Sequence, residues 1–279
     1  MLKSILKAGN FISAPGVFDP LSARVAEQAG ADVLYMTGYG VAASLLGRPD
    51  AALASYREMV DRVRSIAEVT NVPLIADADT GFGGLANVQQ TVRGYESAGA
   101  DAIQLEDQEY PKRCGHTRNR KVIPADDMAR KIEVATRTRL DENFLIIART
   151  DARTEHGLEE ALRRAALYRD AGADVLFVES PESEQEMRQI CSSFPDTPNL
   201  ANMVGGGRTP LLPDETLREI GYAIVIHPIY LLGAAVEGMR QAYAALLNGA
   251  ESASVADLSE LNSLVDFESV WALDEEEKT

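Results

Sequence analysis

Short apolar runs alternate with longer helical patterns along almost the whole chain. Eight runs read as strands, near residues 12–18, 33–37, 73–77, 102–106, 144–149, 175–179, 199–203 and 223–227. Each is brief and largely aliphatic, the pattern of parallel strands covered on both faces. Helical patterns fall near 20–29, 56–70, 86–98, 125–140, 157–171, 183–193, 213–220 and 230–248. Glu159 to Leu167, for example, is almost entirely strong helix formers. A weak repeat ties the two patterns together. Ala-Gly-Ala-Asp occurs at 29–32, 98–101 and 171–174, each time after a helical pattern and before an apolar run. The glycine suits a left-handed helix end, so each copy reads as the joint between a helix and the next strand. Eight such units predict a closed parallel (β/α)8 barrel of the α/β class in preference to an open sheet.

The pattern continues past Gly249. Val255, Leu258, Leu261, Leu264, Val265 and Phe267 recur at helical spacing. Eight helices already cover a barrel, so this ninth element is expected to pack on a neighbouring subunit, the alternative being that it caps its own barrel. The expected organisation is a catalytic barrel over 1–249, a helical extension over 250–273 and a disordered acidic tail over 274–279.

Composition narrows the class. At 279 residues and 46% apolar content the chain suffices for one large barrel. A net charge of −16 argues against nucleic acid and anionic membrane surfaces, which select a basic footprint. It also means that an anionic substrate needs local cations or a metal. Two cysteines, Cys114 and Cys191, are too few for a disulfide framework and predict a cytoplasmic, reducing setting. No stretch of about 18 apolar residues is present, so no membrane span is expected.

In a barrel of this kind, chemistry collects where the strands end. Asp77 and Asp79 follow the third strand and Glu106 ends the fourth. Together they form an all-oxygen cluster that suits Mg2+, with Mn2+ as the second choice. Arg149 ends the fifth strand and is expected to bind an anion, or else to pair with Glu106 or Glu179. Glu179 ends the sixth strand and Asn202 the seventh, one a candidate base and the other a candidate oxyanion donor. Gly205-Gly206-Gly207 reads as a flexible loop rather than a phosphate cradle. Cys114 stands between Arg113 and Gly115, near Lys112 and His116, and a thiol beside cations is poised to be a thiolate. Between Tyr110 and Pro124 lie six Lys, Arg or His residues, which reads as a cationic lid on an acidic protein.

Four segments carry a resemblance: Asp77-Ala78-Asp79-Thr80-Gly81-Phe82-Gly83, Leu105-Glu106-Asp107-Gln108, Pro111-Lys112-Arg113-Cys114-Gly115-His116 and Ala148-Arg149-Thr150-Asp151-Ala152. With Pro15-Gly16-Val17-Phe18-Asp19 they resemble the isocitrate lyase and phosphoenolpyruvate mutase superfamily over nearly the whole chain. The resemblance implies Mg2+, 2-hydroxy or 2-oxo acid chemistry through a pyruvate-like enolate, and a homotetramer in which a terminal helix is exchanged between subunits, a dimer of helix-swapped dimers. It implies metal-site roles for Asp77 and Asp79, with Asp50 and Glu106 acting through water. It places Thr37, Gly38 and Tyr39 in the loop that binds the substrate carboxylate, with Gly115, Arg149, Glu179 and Asn202 around the substrate. The loop around Cys114 resembles the carbon–carbon lyase branch. No arginine follows the eighth strand before Arg240, whereas methylisocitrate lyases use one there for a third carboxylate. Gly205 and His227 stand where relatives commonly have Glu and Tyr.

The expected reaction is therefore retro-aldol cleavage of a 2-hydroxy dicarboxylate, of the 2,3-dimethylmalate or 2-alkylmalate type, to pyruvate and a carboxylic acid. Cys114 is the expected proton donor, with His116 assisting it. Glu179, Tyr39 or a metal-linked water is the expected base. The alternatives are oxaloacetate hydrolysis, then methylisocitrate cleavage, then carboxyphosphonoenolpyruvate mutation.

Overall fold

In a computed structural model, eight parallel strands form a barrel, with helices outside. The structure describes residues 2–115, 117, 120–249 and 255–277. The strands are β1 (Ile12–Val17), β2 (Leu34–Met36), β3 (Leu74–Asp77), β4 (Ala102–Glu106), β5 (Leu145–Thr150), β6 (Val175–Val178), β7 (Leu200–Asn202) and β8 (Ile224–His227). β1 pairs with both β2 and β8, and a bridge between Leu176 and Asn199 joins β6 to the β7 end. The barrel expected from the sequence is thus observed, each strand within two residues of its expected bounds.

The helices are α1 (Leu2–Lys7), α2 (Pro20–Gln28), α3 (Gly38–Val41), α4 (Tyr56–Ala67), α5 (Leu85–Ser97), α6 (Ala125–Thr138), α7 (Arg153–Asp170), α8 (Glu184–Ser193), α9 (Asp214–Ile220), α10 (Tyr230–Leu247), α11 (Leu258–Leu264) and α12 (Phe267–Glu276). Their starts obey local chemistry. Asp19 and Ser22 form a reciprocal cap on α2, with Pro20 at its first position. The repeated glycines all take left-handed φ, at 96° for Gly30, 98° for Gly99 and 104° for Gly172. The aspartates that close two of the repeats tie neighbouring strands: Asp101 accepts from Leu74 N at 3.0 Å and Asp174 from Ile146 N at 2.9 Å.

Strand alternation separates two cores. Leu34, Met36, Leu74, Ile103, Leu105 and Ile146 face the helices. Tyr35, Ile75, Ala102, Ile147, Phe177 and Ile226 face the barrel axis. Every second residue continues the inward row, so Asp77 follows Ile75, Arg149 follows Ile147, Glu179 follows Phe177 and Asn202 follows Leu200. The inward rows thus end in polar side chains at the C-terminal rim. Helix α1 inserts fully buried Leu2 into the inner core.

Some expectations are corrected. Helix α7 starts at Arg153 rather than near 157, with Gly157 breaking its φ/ψ at +84°. The single extension is two helices, parted by Asp266 at φ +62°. Residues 274–276 are helical rather than disordered, because they complete the last turns of α12. Residues 250–254 and 278–279 of the expected extension and tail lie outside the described residues. Helix α10, expected to cover the barrel, buries none of its residues, although it is largely apolar.

Candidate active site

The rim rows converge on a cavity of about 200 Å³ at the C-terminal ends of the strands. Asp50, Asp77, Glu106, Lys112, Cys114 and Arg149 line one side. Val204, Ile226, Pro228 and Ile229 make an apolar wall on the other. A larger open groove of about 1020 Å³, lined by Ile5, Phe11, Asp32, Asp214 and Arg218 among others, gathers no comparable set of functional groups.

Arg149 is the hub of the charged side. Its Nε and Nη2 each donate to Asp151 at 2.9 Å, Nη2 lies 3.2 Å from Glu179 Oε2, and Nη1 lies 3.5 Å from Glu106 Oε2. The pairings with Glu106 and Glu179 anticipated from sequence are both present. Asp151, which sequence reasoning left without a role, makes the tightest one. It also accepts from Arg120, so one buried carboxylate joins Arg149 to the far end of the loop that carries Cys114. Burial opposes ionisation of Asp151, but Arg149 and Arg120 outweigh it and hold its pKa below the usual range. The signal was the spacing, since residues two apart in a strand share a face.

The acidic cluster surrounds a lysine. Lys112 Nζ lies 2.5 Å from Asp50 Oδ1 and 2.6 Å from Asp79 Oδ1, with all three side chains almost fully buried. Burial disfavours the ammonium, yet Asp79 and Asp50 raise the Lys112 pKa well above its ordinary value. Burial drives the Asp79 pKa up to about 7; Lys112 opposes the rise, while Asp77 and Asp50 add to it. Asp77 accepts from Gly38 N at 3.2 Å and from Asp79 N at 3.0 Å. Asp79 does not continue β3; its φ of +49° turns the chain back to the rim. Burial pushes Glu106 well above the carboxylate range, and its Oε1 has no hydrogen-bond partner among the described residues.

These donors fit a hard divalent cation. Buried Glu106 Oε1 is orphaned among the described residues, and Asp50 and Asp77 line the same cavity. Among the described residues no three Asp, Glu, His or Cys side chains close on one point tightly enough to hold a metal. One or two carboxylates plus water match the habit of Mg2+, which keeps much of its hydration.

The lid lies over the site. Gln108 clamps its base, donating from Nε2 to Arg113 O at 2.8 Å and accepting from Arg113 N at 3.0 Å. Cys114 N donates to Asp50 O at 3.3 Å, and the half-buried thiol side chain lines the cavity. Gly115 sits so close that a Cβ there would fall 2.2 Å from Arg149 Nη2 and 2.9 Å from Glu179 Oε2. Asn202 Nδ2 donates to Glu179 Oε2 at 3.0 Å. Thr37 Oγ1 accepts from Gly40 N and caps α3, while Tyr39 lines the cavity mouth, partly exposed. His116 lies outside the described residues. The loop is not a uniform cationic surface, because Lys112 and Arg120 are already buried against acids.

Three other residues at the strand ends lie outside the cavity. Asp107, next to Glu106 in the chain, points the opposite way because the strand alternates. It accepts from Thr150 Oγ1 at 2.7 Å, Asp151 N at 2.8 Å, Tyr168 OH at 2.8 Å and Arg164 Nη1 at 3.1 Å, a structural knot between β5 and α7. His227 turns away to Ser13 Oγ at 3.3 Å and Asp214 at 3.6 Å. Gly205 borders a separate shallow groove beside Tyr230.

Known proteins resemble this chain in sequence and in structure. The family profile described as phosphoenolpyruvate phosphomutase matches residues 2–247. The chain is 46% identical over 273 residues to a 2,3-dimethylmalate lyase of Eubacterium barkeri, covering 96% of this chain and 94% of that protein. It superimposes on an oxaloacetate acetylhydrolase bound to the inhibitor 3,3-difluorooxalacetate with a TM-score of 0.95 at 35% identity, covering 99% of this chain and 96% of the other. A phosphonopyruvate hydrolase in complex with oxalate and Mg++ superimposes with a TM-score of 0.88 at 30% identity, covering 98% and 96%.

Proposed function

Starting from the fact that this chain belongs to the phosphoenolpyruvate phosphomutase family, we propose that it is a Mg2+-dependent carbon–carbon lyase. Its substrate is a 2-hydroxy dicarboxylate of the 2,3-dimethylmalate type, cleaved to pyruvate and a carboxylic acid. One observation carries the reading: Arg149, Cys114 and the acidic rim face the same small cavity, and its opposite wall is apolar. The wall of Val204, Ile226, Pro228 and Ile229 suits alkyl substituents and offers no cation to a third carboxylate. The likeness to the Eubacterium barkeri enzyme supports the same substrate class.

Asp77, Asp79, Asp50 and Glu106 would hold the metal, directly or through water. When bound, Mg2+ would supply positive charge beside the substrate's carboxylate and C2 oxygen. The chain's own residues do the rest. Arg149, fixed by Asp151, orients the carboxylate at carbon 1, and the Thr37–Tyr39 turn closes the same end. Glu179, steadied by Asn202, takes the proton of the 2-hydroxyl. The C2–C3 bond then breaks, its electron pair passing to C3 while C2 becomes the carbonyl of pyruvate. Cys114 gives its thiol proton to C3, which releases the second acid. His116 assists the thiol from the same loop. The lid excludes water that would compete for the carbanion.

The oligomer follows from exposed apolar surface. Helix α10 with Met239, Tyr243 and Leu246, and helices α11 and α12 with Leu258 and Trp271, leave large side chains uncovered. Exchange of these helices between subunits, in a homotetramer built as a dimer of swapped dimers, would bury them. A cysteine content of two, too low for a disulfide framework, supports a cytoplasmic setting, and no helix among the described residues is long and apolar enough to cross a membrane.

The test is pyruvate release from 2,3-dimethylmalate and 2-methylmalate with Mg2+, for the native chain and for Cys114→Ser. Cleavage by the native chain with a loss of at least about a hundredfold in the variant is expected, at the lower end of what a positioned acid contributes. Full activity in Cys114→Ser would remove the cysteine from the reaction. The likeness to oxaloacetate acetylhydrolase favours a second reading, hydrolysis of oxaloacetate to oxalate and acetate. Oxalate formed from oxaloacetate, without pyruvate from the malates, would select it.

A further inference from the structure

Ser180 follows Glu179 at the end of β6 and takes part in no step above. It is fully buried, with φ at +60°. A turn of that hand with no other duty is a glycine position, because a Cβ is crowded there. Serine at this place keeps a hydroxyl at the cost of backbone strain. That hydroxyl lies 3.2 Å from the carbonyl oxygen of Gly115 and 3.2 Å from Glu179 Oε1. The backbone N–H of Ser180 already donates to the same Oε1 at 2.7 Å.

A hydroxyl has one proton to give, and here two acceptors stand at the same distance, one on the lid and one on the barrel. Gly115 packs on Arg149 and Glu179 with no room even for a Cβ. The loop must therefore lift for entry and return for chemistry. On the Asp50 side its ties are Lys112 and Cys114 N. On the Glu179 side, among the described residues, Ser180 holds it through the Gly115 carbonyl. We infer that Ser180 is a positioning residue whose hydroxyl latches the Gly115 peptide onto the Arg149–Glu179 pair and sets how firmly the loop seals the cavity. With the loop lifted, the same proton turns to Glu179 Oε1. The hydroxyl is satisfied in both states, so neither carries a buried unpaired donor.

The inference rests on the proposed function only in treating this loop as the active-site lid. Tryptic cleavage after Lys112 and Arg113 needs no substrate, so the latch and the activity are judged separately. The full-length protein is compared with Ser180→Gly and Ser180→Ala. Both lack the hydroxyl, but glycine relieves the strain at +60° and alanine keeps it, so the glycine variant melts higher. Loss of one hydrogen bond predicts cleavage about three- to tenfold faster in both variants, whatever their order of melting. For a lid mostly closed over bound diacid, KM rises by the same factor while kcat is nearly kept. Native cleavage rates in both variants would overturn the latch. Faster cleavage in Ser180→Ala alone would also overturn it, since the effect would then belong to the backbone and not to the hydroxyl.

Discussion

Replacing Gly115 by alanine adds one methyl group at the tightest place in the site. Its backbone lies outside the left-handed region, so alanine suffers no conformational penalty, and the effect is purely one of space. The new carbon would stand 2.2 Å from Arg149 Nη2, where ordinary contact begins near 3.4 Å. Arg149 cannot yield, because two 2.9 Å hydrogen bonds to buried Asp151 hold its guanidinium. The loop must yield instead, by about 1 Å, and it carries Cys114 with it. A misplacement of that size costs roughly a hundredfold in rate, about 2.7 kcal/mol of transition-state stabilisation. Folding is expected to be spared, since overpacking that costs a closed core ~1–3 kcal/mol is relieved here by a movable loop. The assay is kcat/KM for pyruvate release, beside a thermal melt followed by circular dichroism. Activity within threefold of native would refute the reasoning, because it would mean that Gly115 does not rest on Arg149 when the reaction occurs.

The two cysteines should differ in reactivity. Burial lifts the Cys191 thiol up to about 12, so at pH 8 a thiol reagent should modify only Cys114 in the native protein, and Cys191 only after denaturation. Labelling counted by mass spectrometry checks this, and equal native rates would contradict it. The acid limb of stability should depend on Glu160, whose pKa falls to about 2 because Arg163 hydrogen-bonds its carboxylate, with Arg164 adding to the effect against a smaller opposing burial. A depressed folded value means that its stabilisation is complete above the unfolded value near 4.5 and is lost as pH falls toward 2. Glu160→Gln should therefore lower the melting temperature at pH 6 and match the native chain near pH 2. A difference that persists unchanged at pH 2 would assign it to packing.

Much of the barrel and of its rim was legible along the chain. The apolar runs, the Ala-Gly-Ala-Asp joints and the helix formers are local signals, and local geometry obeys them. Asp77, Glu106, Arg149, Glu179 and Asn202 could be picked out because each ends an apolar run, and inward alternation carries such a residue to the rim. The same alternation turns Asp107 away from the cavity, because its neighbour Glu106 takes the inward face, and His227 too, one residue past the inward Ile226. Lys112 and Arg120 read as free lid charge because nothing adjacent in sequence is acidic enough to claim them. Their partners, Asp79 and Asp151, are 33 and 31 residues away along the chain.

The sequence by itself determined the fold class, the strand bounds and the residues that end the strands. These follow from hydrophobic period and helix-end chemistry, both of which act over a few residues. Only the tertiary structure decided which charges neutralise one another, that one buried aspartate serves both the lid and Arg149, and that Ser180 meets Gly115 over the cavity. Those facts depend on distances between segments far apart in the chain. In a buried, low-dielectric rim, an ångström of separation decides whether a charge is paired, and no local pattern encodes it.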